Sequence, residues 1–166
     1  MSPRTTVAAL FAGALAMAQP AHAQDQCRLA LQLGLDVSAS VDAFEYQLQV
    51  DGLASALLDP TVSEAFLNGP GPVAFSVFEW SGRFQQEVLV DWIMVRTEAD
   101  LLAIAERIVN STRGTEDYPT ALGYALGFAA TRFREAPVCL FQTLDMSGDG
   151  QNNDGFPPIA AFQHFD

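Results

Sequence analysis

The distribution of apolar and polar positions divides the chain into strands and helices. Leu29 to Leu35 is apolar at almost every position, so Arg28 to Val37 is predicted as a buried strand of the parallel kind. Asp42, with Glu45 three residues later, forms a capping box that starts a helix. Phe44, Leu48, Leu53, Ala56 and Leu57 give that helix its apolar face, and Asp59-Pro60 stops it. Asn68 to Pro72 is a loop by composition. Val73 to Trp80 is a second strand, Ser81-Gly82-Arg83 turns the chain, and Phe84 to Trp92 returns as a third, making a hairpin. Glu98 to Val109 repeats its apolar residues at helical spacing. A polar loop, Arg113 to Pro119, leads into a Gly- and Ala-rich helix over Thr120 to Arg134, whose small face suits close packing on a sheet. Val138 to Leu144 is a fourth strand. Strands alternating with helices predict an α/β sheet with right-handed crossovers, and the hairpin makes one strand antiparallel.

The first 23 residues stand apart. Arg4 precedes an apolar run from Val7 to Ala18, and Ala21-His22-Ala23 is a small-x-small cleavage signature. This is the pattern of a signal peptide and is too short for a membrane span, so a secreted or periplasmic chain starting near Gln24 is expected. About 143 residues remain, enough for one domain with a sizeable core. All eight basic residues are arginine, and without Arg4 seven of them face 20 acidic residues, a formal charge of about −13. Such a surface repels nucleic-acid phosphates and favours cations.

Cys27 and Cys139 are the two cysteines. In an oxidising compartment they are a candidate disulfide; in a reducing one, two buried thiols. With only His164 left after cleavage, a Cys/His zinc site has no support.

The chemistry lies where strands end. Asp36-Val37-Ser38-Ala39-Ser40 follows the first strand, so that one carboxylate and two hydroxyls at alternate positions aim at a single point. Oxygen ligands of this kind suit a hard cation such as Mg²⁺. Thr120 stands just before the third helix, and Asp149-Gly150 just after the fourth strand. In an open α/β sheet, ligands collect outside the carboxyl ends of the strands. Thr115 competes with Thr120, and Asp145 with Asp149. Asp145 falls inside the strand, where it is expected to bond loop amides.

Asp-x-Ser-x-Ser after a strand, followed by a threonine before a helix and by Asp-Gly after a later strand, resembles the metal-ion-dependent adhesion site of von Willebrand factor A-like domains. The signal peptide, Asp-Val-Ser-Ala-Ser-Val-Asp and Ser-Gly-Asp-Gly-x-Asn-Asn together resemble a bacterial secreted family of unknown function within that superfamily. The resemblance implies a three-layer sandwich, a mostly parallel sheet with one antiparallel edge strand, over residues 24–155. It implies that Ser38 and Ser40 bind the metal directly, with Thr120 as a third hydroxyl and Asp36 and Asp149 acting mainly through water. Mg²⁺ is the expected ion, with Mn²⁺ or Ca²⁺ as alternatives. The implied function is a non-enzymatic binding module that captures an Asp or Glu of a protein partner. If the first and fourth strands are neighbours, as the resemblance implies, Cys27 and Cys139 lie level at the opposite end and form a disulfide.

On the same resemblance, two more strands and at least two helices should follow Asp149, and residues 156–166 form an atypical tail instead. The expectation is a C-terminally truncated domain whose fourth strand is an exposed edge. A vestigial domain without metal function is one alternative reading. A metal-assisted hydrolase is another, opposed by the lack of a general base beyond the carboxylates and of a Gly-x-Ser-x-Gly elbow. A calcium loop at Asp149 to Gly155 fails because Asp154 stands where the glycine belongs and the closing Glu is missing.

Overall fold

The computed structural model describes residues 26–114 and 117–165, and the predicted signal peptide lies outside them. The chain forms β1 (Cys27–Asp36), α1 (Ala43–Leu58), α2 (Pro60–Leu67), β2 (Val73–Trp80), β3 (Gln86–Val95), α3 (Glu98–Val109), α4 (Leu122–Phe133), β4 (Cys139–Met146), and a short α5 (Pro158–Ala161) running into a 3-10 turn at Phe162–His164. The strands lie in the order β3-β2-β1-β4. β1 pairs in parallel with β2 and β4, and β3 is the antiparallel edge expected from the hairpin.

Two apolar layers sandwich the sheet. Leu31, Leu33 and Leu35 of β1 and Phe75 and Val77 of β2 pack with Tyr46, Val50 and Leu57 of α1 and Leu101, Ile104 and Ile108 of α3. The opposite face sets Ala30, Ala74, Phe78 and Trp80 against the small residues Ala125 and Ala129 of α4 and against Phe133. Every residue of β2 is buried, because the strand is flanked on both edges and covered on both faces. The three-layer α/β expectation is met.

Several local expectations are corrected. Asp42 does cap α1 with Glu45 as its box partner, but the buried stripe of that helix is Tyr46, Val50, Ala54 and Leu57. Phe44 and Leu48 are 75% and 62% exposed. This stripe packs on the sheet and α3, and the Tyr46 hydroxyl at its head is satisfied within the core by donating to the buried Glu79 carboxylate. Asp59-Pro60 ends α1 but also starts α2. Asp59 accepts from the Thr61 amide, and proline occupies the first turn, where its missing N–H costs no hydrogen bond. β3 begins at Gln86, leaving Phe84 in the turn and 81% exposed. α4 begins at Leu122, so Thr120 stays in the preceding loop.

Cys27 and Cys139 are register partners on β1 and β4 and are joined as a disulfide. Among the described residues β4 is a sheet edge, with Leu140 57% and Phe141 69% exposed. The segment set apart by sequence as a tail packs back onto α4. Ala161 is fully buried, and Phe156 and Phe165 lie against Tyr124 and Phe133.

Candidate metal centre

β1 carries Asp36 to the carboxyl end of the sheet and buries it completely. The backbone then turns so that the Ser38 amide donates to Asp36 Oδ1 at 2.8 Å, an Asx-type turn in which the carboxylate shapes its own loop. Val41 closes the turn by donating to the Ser38 carbonyl at 3.0 Å. Ser38 Oγ and Ser40 Oγ are left 3.2 Å apart. Thr120 Oγ1 donates to Ser38 Oγ at 3.2 Å, and Ser40 Oγ donates to Asp149 Oδ1 at 2.7 Å. Asp36, Ser38, Ser40, Thr120 and Asp149 thus converge from three loops into one cluster of oxygens. Ser38 and Thr120 are buried with Asp36, while Ser40 and Asp149 face solvent.

One atom in this cluster has no partner. Asp36 Oδ2 is buried and makes no hydrogen bond. Bare backbone lies close above it, since a β-carbon on Gly148 would sit 3.2 Å from Oδ2 and 3.4 Å from the Trp80 ring. Burial pushes the Asp36 carboxyl up and the bonds from Ser38 pull it down; the nearby Asp149 charge adds to the rise, and the Asp149 backbone amide opposes it. Among the described residues no three His, Cys, Asp or Glu side chains cluster as a metal group. The donor set is instead two carboxylates and three hydroxyls. That chemistry fits a hard divalent cation, which takes oxygen ligands and retains waters.

A second layer holds these groups in place. Gln49 Nε2 donates to the Asp36 carbonyl at 3.2 Å, and its Oε1 accepts from Ser147 Oγ at 2.8 Å. Ser147 Oγ in turn accepts from the Asp36 amide at 3.3 Å. Arg113 Nη2 reaches the carbonyls of Val37, Ser38 and Val41 at 3.3, 3.3 and 2.6 Å, and its guanidinium lies 5.5 Å over the Tyr46 ring. Tyr46 donates to Glu79 Oε1 at 2.7 Å, and the Gly114 amide to Oε2 at 2.9 Å. Burial pushes Glu79 up and, with the Glu79 carboxylate, pushes the Tyr46 phenol up to about 12.

Sequence reasoning selected the five cluster residues and missed this layer. A single signal was visible, since Glu79 interrupts an otherwise nearly apolar strand. Thr115, the alternative to Thr120, lies outside the described residues. Asp145, the alternative to Asp149, stands within β4 opposite Leu33 with its side chain exposed. Among the described residues it bonds no loop amide, because the strand aims it at solvent rather than at the loop.

A family model described as a protein of unknown function (DUF1194) matches residues 26–166. No curated protein matches. Solved structures share the fold at low identity. One is proximal thread matrix protein 1 from the mussel byssus with a zinc-occupied MIDAS motif, at 18% identity, TM-score 0.63, 84% of this chain and 35% of that one. A von Willebrand factor type A structure from Catenulispora acidiphila matches at 18% identity and TM-score 0.58, over 84% of this chain and 30% of its own. The vWF domain of the type V pili tip protein Mfa5 from Porphyromonas gingivalis matches at 13% identity and TM-score 0.52, over 76% and 39%. The chain therefore spans roughly a third of the length of these chains and has the von Willebrand factor A-like fold.

Proposed function

The chain belongs to the DUF1194 family of unknown function, and on that premise we propose that it is a secreted, non-enzymatic binding module that captures an acidic group of a protein partner through a divalent cation. Ser38, Ser40 and Thr120 would hold the ion with their hydroxyls, and Asp36 and Asp149 would balance its charge. Mg²⁺ is the first choice, with Mn²⁺ or Ca²⁺ as alternatives. When bound, the cation supplies a positive, oxygen-seeking centre that a partner's carboxylate can join.

The observation that carries this reading is the unpartnered Oδ2 of buried Asp36. A buried carboxylate oxygen without a partner costs about 1–3 kcal/mol or more, and a cation among five oxygen-bearing side chains relieves that cost. The hydroxyls themselves are neutral, so a bound ion stays electron-poor and retains affinity for an anionic partner. The remaining chemistry belongs to positioning. Gln49 and Ser147 hold the Asp36 backbone, and Arg113 ties down the carbonyls of the serine loop. The Cys27–Cys139 bond fits an oxidising compartment.

Isothermal titration of the purified chain with MgCl₂ tests the reading. Heat should be released or absorbed with one-site stoichiometry, and Asp36→Ala or Ser38→Ala should abolish it. A wild-type titration indistinguishable from dilution, with no shift in melting temperature at millimolar Mg²⁺, Mn²⁺ or Ca²⁺, would favour a vestigial site instead.

A further inference from the structure

The two asparagines after Asp149 are unused by the proposed function, and taken alone they describe only a turn. Their side chains nevertheless reach across to the loop that carries Thr120. The Asn153 side-chain Oδ1 accepts from the Thr120 backbone N–H at 2.9 Å, while the Asn153 backbone N–H donates to the Thr120 carbonyl at 3.0 Å. This reciprocal pair grips both backbone groups of a single residue. The next peptide is held from the other side, where the Ala121 amide donates to the Ser81 carbonyl at 2.8 Å.

Asn152 acts one turn further on. α4 begins at Leu122 with Ala121 as its cap residue, and alanine supplies no side-chain acceptor. The Gly123 amide donates instead to Asn152 Oδ1 at 3.1 Å. That is the role a local Ser, Asp or Asn ordinarily plays at a helix N-terminus, filled here by a residue 29 positions away in sequence.

We infer that Asn153 is the positioning residue for Thr120 and that Asn152 is the cap of α4, so that the loop after β4 supplies Asp149 and also sets the third hydroxyl of the same site. The inference rests on the metal-site reading for its functional meaning. Thr120 Oγ1 reaches Ser38 Oγ only while the Thr120 backbone is held where it is. Because Thr120 lies outside α4, no helical hydrogen bonding holds it there. Asn153 therefore acts through Thr120, whereas Asn152 acts on the stability of the helix.

The experiment is a double-mutant cycle on the full mature chain, with Mg²⁺ as probe. Asn153→Ala and the isosteric Asn153→Leu should weaken Mg²⁺ binding about tenfold, the equivalent of about 1.4 kcal/mol. Asn153→Asp retains the acceptor and should leave affinity at or above the wild-type value. In a Thr120→Ala background, Asn153→Leu should cost nothing further, since its effect passes through Thr120. Asn152→Ala should lower the metal-free melting temperature and leave Mg²⁺ affinity within about twofold. Unchanged affinity in Asn153→Leu, or losses that add with Thr120→Ala, would overturn the assignment. Amide hydrogen exchange decides the clamp without metal. The Thr120 amide should exchange at least tenfold faster in Asn153→Leu but not in Asn153→Asp, and equal rates in all three proteins refute it. A wild-type chain that binds no Mg²⁺ but shows this exchange pattern would sink the metal reading and leave the clamp standing.

Discussion

Removing the Cys27–Cys139 bond should lower stability by an amount that follows from the chain length it closes. The two residues are 112 apart in sequence and are paired across β1 and β4. Constraining a loop of that length removes unfolded-state entropy worth about 4.8 kcal/mol at 25 °C in the chain-entropy treatment. With an unfolding entropy of about 2.1 cal/mol/K per residue, a domain of this size gains about 0.3 kcal/mol/K, so the loss corresponds to roughly 16 °C in melting temperature. The native contacts around the bond change little, because Cys27 is buried against Ala30, Ala74 and Phe133 and alanine fills most of that volume. The measurement is a pair of thermal melts by circular dichroism, oxidised wild type against Cys27→Ala/Cys139→Ala, repeated with and without a phosphine reductant. The reduced wild type and the double variant should melt together, well below the oxidised protein. Denaturant titrations should agree, with a lower midpoint and a slightly steeper slope as the unfolded chain expands. Oxidised and double-alanine proteins melting within about 3 °C of each other would refute the entropic reasoning.

Three further outcomes test the packing and the buried charges. Burial holds the Glu79 carboxyl above its usual value near 4.5, so the folded chain keeps a proton that the unfolded chain releases, and stability declines as pH rises through that interval. Glu79→Gln should make the decline shallower in denaturant titrations from pH 4.5 to 7, and an unchanged slope would remove Glu79 as its source. Gly123→Ala would set a β-carbon 2.1 Å from the Phe156 carbonyl oxygen, and that overpacking should cost about 1–3 kcal/mol by chemical denaturation. Gly127→Ala, one turn along α4, meets only the Phe156 ring at 3.7 Å and should stabilise by about 0.5–1 kcal/mol; equal effects at both glycines would contradict the contact. Tyr46→Phe removes the hydroxyl that donates to Glu79 and should cost about 1–3 kcal/mol, since it leaves a buried carboxylate oxygen short of a donor.

Most of the fold is legible because regular structure writes its period into the sequence. The strand over Val73–Trp80 and the helix over Glu98–Val109 were bounded to the residue, since a continuous apolar run and a 3.6-residue repeat leave little choice. The capping box at Asp42 and Glu45 is equally local. Errors arose where one residue serves two purposes. Asp59-Pro60 reads as a stop and is also a start. Tyr46 is absent from the apolar face that spacing predicts and is core, with its hydroxyl satisfied by Glu79, 33 residues away.

The same division runs through the site. Sequence by itself determined which oxygens are available near strand and helix ends; spacing left Thr115 beside Thr120 and Asp145 beside Asp149, and the family resemblance implied the set Asp36, Ser38, Ser40, Thr120 and Asp149. Only the tertiary structure decided that these ends meet. That depends on β1 lying between β2 and β4, an order set by how apolar faces and right-handed crossovers can be covered together rather than by any local pattern. The same placement put Cys27 opposite Cys139, buried Asp36 with one oxygen unpartnered, and lent Thr120 and α4 the side chains of Asn153 and Asn152. Hydrogen bonds between loops that fold together carry no periodicity, so nothing in the linear order announces them.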